Sequence, residues 1–300
     1  MTRPRENPAL AAALILLATA FIAVTTLLAK AIGTGVFGPP LHPLQISHGR
    51  FVFAFATIGC ALGILRPRLG RPAWGLHIGR TIFGWLGVSL MFAAAAYLPL
   101  ADATALVFVN PVFGMVLAIP LLGEKVGPVR WLAAAIAFCG AVILLRPSPD
   151  AFQPAALLAL IAAVFMGIEL IFIKRLTNRE GPAQILFFNN MLGCLIASCA
   201  VLPVWTVPSP EQWAALAAIG VAMACAQACF INGMARADAS FVAPFSYATL
   251  IFATLYDFAV FAVVPDVVSV IGAATIIGGA LLLALREGRR GKQPVPPVAR

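Results

Sequence analysis

Residues Tyr97 to Arg130 read YLPLADATALVFVNPVFGMVLAIPLLGEKVGPVR, an apolar run broken in its middle by Asn110-Pro111 and closed by the charged turn Gly123-Glu124-Lys125. A degenerate copy starts at Met234, MARADASFVAPFSYATLIFATLYDFAVFAVVPDVVSVIG, so Ala101-Asp102-Ala103-Thr104 and Ala237-Asp238-Ala239-Ser240 are one word written twice. Other pairs extend the match. Pro43-Leu44-Gln45-Ile46 returns as Pro182-Ala183-Gln184-Ile185, Trp74 as Trp213, and Cys139-Gly140-Ala141-Val142 as Gly278-Gly279-Ala280-Leu281. The separations run from 136 (Asp102 to Asp238) to 139 (Pro43 to Pro182), so one unit follows another.

The medium in which this unit folds follows from composition. Of 300 residues, 62% are hydrophobic and 10% charged, whereas a soluble domain carries about 25% charged residues. Apolar runs near 20 residues long, at about 1.5 Å rise per residue, cross a hydrocarbon core of about 30 Å. The chain divides into ten such spans, at 9–29, 43–65, 75–96, 100–121, 128–145, 154–173, 184–204, 211–233, 240–262 and 266–285. The fold class is therefore an all-α polytopic membrane protein, with short connections that leave no room for a soluble domain. Arg3 and Arg5 before an apolar stretch resemble a signal peptide. However, Pro8 to Ala29 is long for one, and Thr25 to Lys30 offers no small-residue cleavage site, so a retained first span is expected. The six cysteines all fall within spans and form no Cys-x-x-Cys, so they read as small packing residues.

Basic residues set the expected orientation. With the N-terminus in the cytoplasm, sixteen of the 20 Lys and Arg fall at cytoplasmic ends, two (Lys30 and Arg146) at outer ends, and two (Arg50 and Arg80) within spans. That bias fits the positive-inside rule, an even number of spans and two cytoplasmic termini. It also accounts for the net charge of +9 without nucleic acid: the charges are strung loop by loop along one membrane face, and a basic tail at 287–300 faces anionic lipid.

Five spans per unit is an odd number, so the second unit enters the membrane from the opposite side. Inverted repeats of this kind recur in secondary transporters, with substrate near the midplane where the halves meet. The expected halves are 9–147 and 154–286. At this point the chain resembles a known family: the ten spans, the five-plus-five repeat and the phrases LPLADATALVFVNPVFGMVLAIPLLGEKVGPVRW and ADASFVAPFSY are similar to the EamA branch of the drug/metabolite transporter superfamily. The resemblance implies a bacterial inner-membrane carrier of small metabolites, commonly an exporter of amino acids or related compounds, with some relatives importing compounds such as S-adenosylmethionine. One departure stands out. Where the family's second repeat usually carries Gly-Glu, this chain has Ala262-Val263 ahead of Pro265-Asp266.

Ionisable groups inside a bilayer are functional candidates by default. Depth along the spans puts Arg50 level with Asp257 near the outer side and Arg80 level with Glu169 near the inner side, permitting one outer and one inner charge pair. These four are expected to gate the cavity, or to couple transport to a proton through Glu169 or Asp257; the alternative is snorkelling to nearby headgroups. Uncharged polar groups at mid-depth suit a ligand better. Asn110 beside Pro111 is the leading candidate, because proline removes a backbone donor and frees a carbonyl there. Pro244, Ser246 and Tyr247 hold the equivalent place in span nine, and Gln227, Trp85 and Thr26 add further contacts. The alternative for each is interhelical hydrogen bonding. Spans five and ten, small and aliphatic, are expected to pack peripherally or to form a homodimer.

Enzymatic chemistry finds no footing. His42, His48 and His77 belong to segments at opposite faces, and no His-Glu-x-x-His, Gly-x-Ser-x-Gly or Walker loop occurs. No metal or cofactor is implied, and the missing phosphate loop excludes a primary pump within this chain. A channel-like facilitator remains the alternative to a carrier.

Overall fold

The computed structural model describes residues 8–67, 69–122, 128–145, 153–177, 179–234, 236, 245 and 248–290. Eleven α-helices are described: α1 Pro8–Gly33, α2 Pro43–Leu65, α3 Trp74–Ala95, α4 Leu100–Val107, α5 Asn110–Leu122, α6 Pro128–Leu145, α7 Pro154–Thr177, α8 Pro182–Val201, α9 Pro210–Met234, α10 Ala248–Phe261 and α11 Val267–Arg290. Six of them, α1–α3 and α7–α9, are long and apolar enough to cross a membrane. Here α4 and α5 form one broken span, so the first repeat runs α1, α2, α3, α4–α5, α6 and the second runs α7 to α11. The end of the bundle where α1 finishes is called the Lys30 end, and the opposite one the Glu180 end.

The break in the opening stretch has a local cause. Proline at 111 has no N–H to give the carbonyl four residues earlier, that of Val107. The side chain of Asn110 supplies the missing donor, giving Val107 O a hydrogen bond of 2.9 Å. The chain turns through Phe108 and Val109 and resumes as α5. Backbone left unpaired in a membrane costs several kcal/mol per group, so Asn110 permits the kink by mending it.

The packing displays the inverted repeat. Helix α1 lies along α9, and α7, the counterpart of α1, lies along α3, the counterpart of α9. In the same way α2 packs on α9 while α8 packs on α3, and α4–α5 pack on α7 while α10 packs on α1. Three pairs are their own counterparts: α2 with α8, α4 with α10, and α6 with α11. The most extensive contacts all join one half to the other, so neither half is a self-contained bundle. Lipid tails offer no hydrophobic drive for helices to associate, and close approach through small residues takes its place. At Gly167 a Cβ would come within 2.9 Å of both the Asn110 carbonyl and the Gly114 amide, so α7 crosses α5 directly over the kink.

Repeated motifs acquire repeated jobs. At the Lys30 end, Gln45 donates to the Thr206 carbonyl (2.6 Å) and accepts from the Thr206 amide (3.2 Å). At the Glu180 end its counterpart Gln184 accepts from the Gly70 amide (2.6 Å). Each glutamine pins a loop belonging to the other repeat, four residues ahead of the helix that follows. The Asp102 word also has a role, since the Ser269 hydroxyl donates to the Asp102 carboxylate (2.8 Å) and ties α4 to the first turn of α11. Asp238 lies outside the described residues.

One expectation changes. Helix α1 continues through Lys30 to Gly33, so Lys30 is a buried helical residue rather than a charge beyond the end of its span. The small-residue faces of α6 and α11, expected to pack peripherally or to form a homodimer, close on each other within one chain: a Cβ at Gly140 would stand 2.7 Å from the Gly272 carbonyl oxygen. Ala262 adopts φ 55 after the last turn of α10, a left-handed conformation that favours glycine.

Gly140→Ala is expected to destabilise the protein by about 1–3 kcal/mol through overpacking. On α11, Gly278, the counterpart of Cys139, faces open space, so Gly278→Ala should raise the melting temperature slightly, as a helical alanine replaces a glycine. Thermal unfolding in detergent separates the two outcomes.

Candidate functional site

Polar side chains concentrate where α2, α3, α7 and α8 meet. On α3, Thr81, Trp85 and Ser89 follow one another at four-residue spacing and share a face. Ser89 donates to the Ser47 hydroxyl of α2 (2.9 Å), and Thr81 donates to the Asn189 side-chain oxygen of α8 (3.4 Å). Trp85 lies between those two bonds. Arg50 lies one turn beyond Ser47 on the antiparallel α2, so it enters the same interval.

The interval is bounded by charge. Arg80 donates through Nη1 to the Ile185 carbonyl (3.2 Å), and its Nε is 3.5 Å from Glu169 Oε1. Gly84 makes room for that carboxylate, because a Cβ there would come within 2.8 Å of the Glu169 Cδ. The Arg50 guanidinium lies 4.2 Å above the Phe51 ring, within electrostatic reach of Glu169 and Arg80. On α8, Asn190 donates to the Leu186 carbonyl (2.8 Å) and to Gln227 Oε1 of α9 (3.3 Å).

Several buried atoms at this place have no hydrogen-bond partner: Arg50 Nε and Nη1, Trp85 Nε1 and Asn190 Oδ1. Arg50 is 5% exposed and Asn190 is fully buried. Buried polar groups are hydrogen-bonded almost everywhere in proteins, so this concentration marks a site built to be completed by something else. The atoms comprise donors from arginine and tryptophan with one amide acceptor. Toward the Lys30 end, Ile46 and Phe92 are almost fully buried and form the floor of a vestibule of about 330 Å³ lined also by Leu41, His42, Ala96 and Thr206.

The Lys30 end is held by a second cluster. The Asp257 carboxylate of α10 pairs with Lys30 of α1 at 2.5 Å and accepts the amide of Leu100, the first residue of α4, at 2.8 Å. The Lys30 ammonium also stands 4.7 Å from the Phe261 ring centroid. In the inverted repeat Leu121 of α5 corresponds to Asp257, 136 residues on. There Arg175 of α7 donates to the Leu121 carbonyl (2.6 Å) on the exposed surface. One latch is thus a buried ion pair and its twin a surface hydrogen bond.

Of the charge pairs suggested by depth, Arg80 and Glu169 meet. Arg50 and Asp257 do not: α2 packs on α3, α8 and α9, whereas α10 packs on α1 and α4, so Arg50 joins the Arg80–Glu169 layer and Asp257 takes Lys30. Trp85 and Gln227 stand at the polar interval. Asn110 spends its amide on the helix break, and Thr26 donates to the Ile22 carbonyl within α1 (3.3 Å). Pro111 is part of α5, while Pro244, Ser246 and Tyr247 lie outside the described residues. Asn190 was legible as a polar group of its span, whereas sequence reasoning missed Lys30 and the Glu180 network. The acid in span nine was the signal for Lys30, the one basic residue at the outer end of span one.

That network closes the opposite end. Glu180 accepts from the Ala73 amide (2.6 Å), from Gln184 (2.7 Å) and from His77 Nε2 (2.7 Å). At the counterpart positions, 139 residues away, Leu41 and Leu216 belong to one apolar cluster. Burial pushes the Glu180 carboxyl upward, but its three donors outweigh that and hold it below the ordinary 4.5. A depressed folded value contributes stability above the unfolded pKa and loses it as pH falls through the folded one. Wild type should therefore lose more thermal stability than Glu180→Gln on acidification from about pH 5 to about pH 3; parallel melting curves would show that Glu180 carries none of this dependence.

Comparison with known proteins completes the description of the site. The model of the EamA-like transporter family matches residues 9–146 and 153–285. A riboflavin transporter of Vibrio cholerae serotype O1 is 32% identical over 234 residues, covering 77% of this chain and 78% of that protein. An S-adenosylmethionine uptake transporter of Rickettsia prowazekii is 24% identical over 253 residues, covering 83% and 85%. A solved crystal structure, 25% identical, superposes with a TM-score of 0.62 and covers 94% of this chain and 99% of its own.

Proposed function

We propose, from the premise that the chain belongs to the EamA-like transporter family, that it is a secondary transporter whose small-metabolite substrate completes the polar interval between α2, α3, α7 and α8. The family is one of transporters rather than enzymes, and the protein is a multi-pass protein of the bacterial inner membrane. The observation that carries the proposal is the set of unpartnered buried atoms on Arg50, Trp85 and Asn190 at mid-membrane depth. Alternating access then has a physical form. Opening the Lys30 end requires parting Asp257 from Lys30 and Leu100, and opening the other end requires releasing Glu180 and Gln184 from the α2–α3 loop. The halves 9–147 and 154–286 rock against each other, with the Glu180 end and the basic tail 287–300 on the cytoplasmic side.

Uptake of riboflavin is the substrate reading we favour. Support comes from the 32% identical relative and from the chemistry of the interval. The isoalloxazine edge offers two carbonyl acceptors to Arg50 and Trp85, and an N–H to Asn190. Export of an amino acid or related compound is the second reading, favoured by the open guanidinium of Arg50, which fits a carboxylate bidentately.

Counterflow in proteoliposomes tests the proposal. Saturable uptake of labelled riboflavin, stimulated by unlabelled riboflavin on the trans side, is the expected result. Stimulation by amino acids alone would select the second reading, and linear uptake without trans-stimulation would indicate a channel. For coupling, Asp257→Asn should abolish acceleration by an imposed pH gradient. Unaltered flux and pH dependence would remove Asp257 from that role.

A further inference from the structure

Arg50 is costly where it stands. Arginine keeps its proton in proteins, so Arg50 and Arg80 place two positive charges in the interval against the single carboxylate of Glu169. Arg80 already has Ile185 O and Glu169 as neighbours. Arg50 is left with the face of Phe51 and two N–H groups facing no acceptor. The geometry around it is nonetheless fixed: the Phe51 ring packs directly on Gly193 of α8, where any Cβ would collide with it. A charge buried at 5% exposure, seated on a locked ring and left with open donors, is pre-organised for a planar acceptor.

We infer that Arg50 is the specificity-determining residue of the site, selecting ligands that present a carboxylate or carbonyl oxygen to its open donors, as a carboxylate or one carbonyl of a cyclic imide does, and rejecting cations that lack one. The inference rests on the location of the site proposed above and names its ligand class. Trp85 Nε1 and Asn190 Oδ1 supply one donor and one acceptor beside the fork and refine the choice within that class. Because the fork is incomplete without ligand, Arg50 destabilises the empty protein; a merely structural arginine would stabilise it.

The test uses full-length protein in nanodiscs, probed with riboflavin, a panel of amino acids, ribitol and choline. Thermal shift and equilibrium binding are read for wild type, Arg50→Met and Arg50→Lys. The expected result has three parts. An imide or carboxylate compound binds wild type while ribitol and choline do not. Arg50→Met melts at or above the wild-type temperature without ligand, yet binds that compound about 10- to 100-fold more weakly. Arg50→Lys, which keeps the charge and loses the fork, falls between. Choline binding, Arg50→Met affinity within twofold of wild type, a lower ligand-free melting temperature or misfolding of Arg50→Met, or no binding by any imide or carboxylate would overturn the inference. Amino acids bound through Arg50 without riboflavin would sink the vitamin reading and leave this one standing. Riboflavin transported equally well by Arg50→Met would do the reverse.

Discussion

A hydrocarbon interior gives an unpaired polar atom nothing to bond with, and that constraint governs the whole chain. Almost every polar side chain within the bundle is engaged in repair. Asn110 restores the bond that Pro111 removes, and Thr19, Thr25 and Thr26 return their hydroxyls to their own helix. Gln45 and Gln184 fasten loops that would otherwise enter the bundle unpaired. Against that background the open atoms of Arg50, Trp85 and Asn190 stand out because they gather in one place.

Duplication supplies the architecture and departures from it supply direction. The helix contacts map onto themselves when the halves are exchanged, so the backbone favours neither membrane face. Side chains break the tie. The Lys30–Asp257 pair has only a backbone carbonyl as its twin, and the Glu180–His77 pair has two leucines. Each end is thus closed by its own chemistry, ionic and buried at one, acidic and loop-bound at the other. Unequal closures give the two states unequal free energies, so the empty protein favours one of them.

The fold was legible because hydrophobic length and repeated words are properties of the chain alone: span limits fell within a few residues of the helix limits, apart from the ninth, whose described helix begins at Ala248. The charge pairs were only half legible. Depth along a helix can be read from sequence, but azimuth and neighbour cannot, so Arg50 and Asp257 shared a level without sharing an interface. Lys30 was obscured by the end of its apolar run, whereas a buried carboxylate carried the helix past it. Asn190 could be read as a polar group within its span, but its partner Gln227 on α9 could not.

The paired glutamines also constrain how the protein is made. Gln45 finds its partner at Thr206 and Lys30 finds its own at Asp257, both encoded after the first repeat is complete. A nascent first half therefore enters the bilayer with its glutamine and its lysine unmatched, and it cannot reach its final packing until translation delivers the second. The interlocked repeat thus makes late synthesis the stage at which the fold is completed.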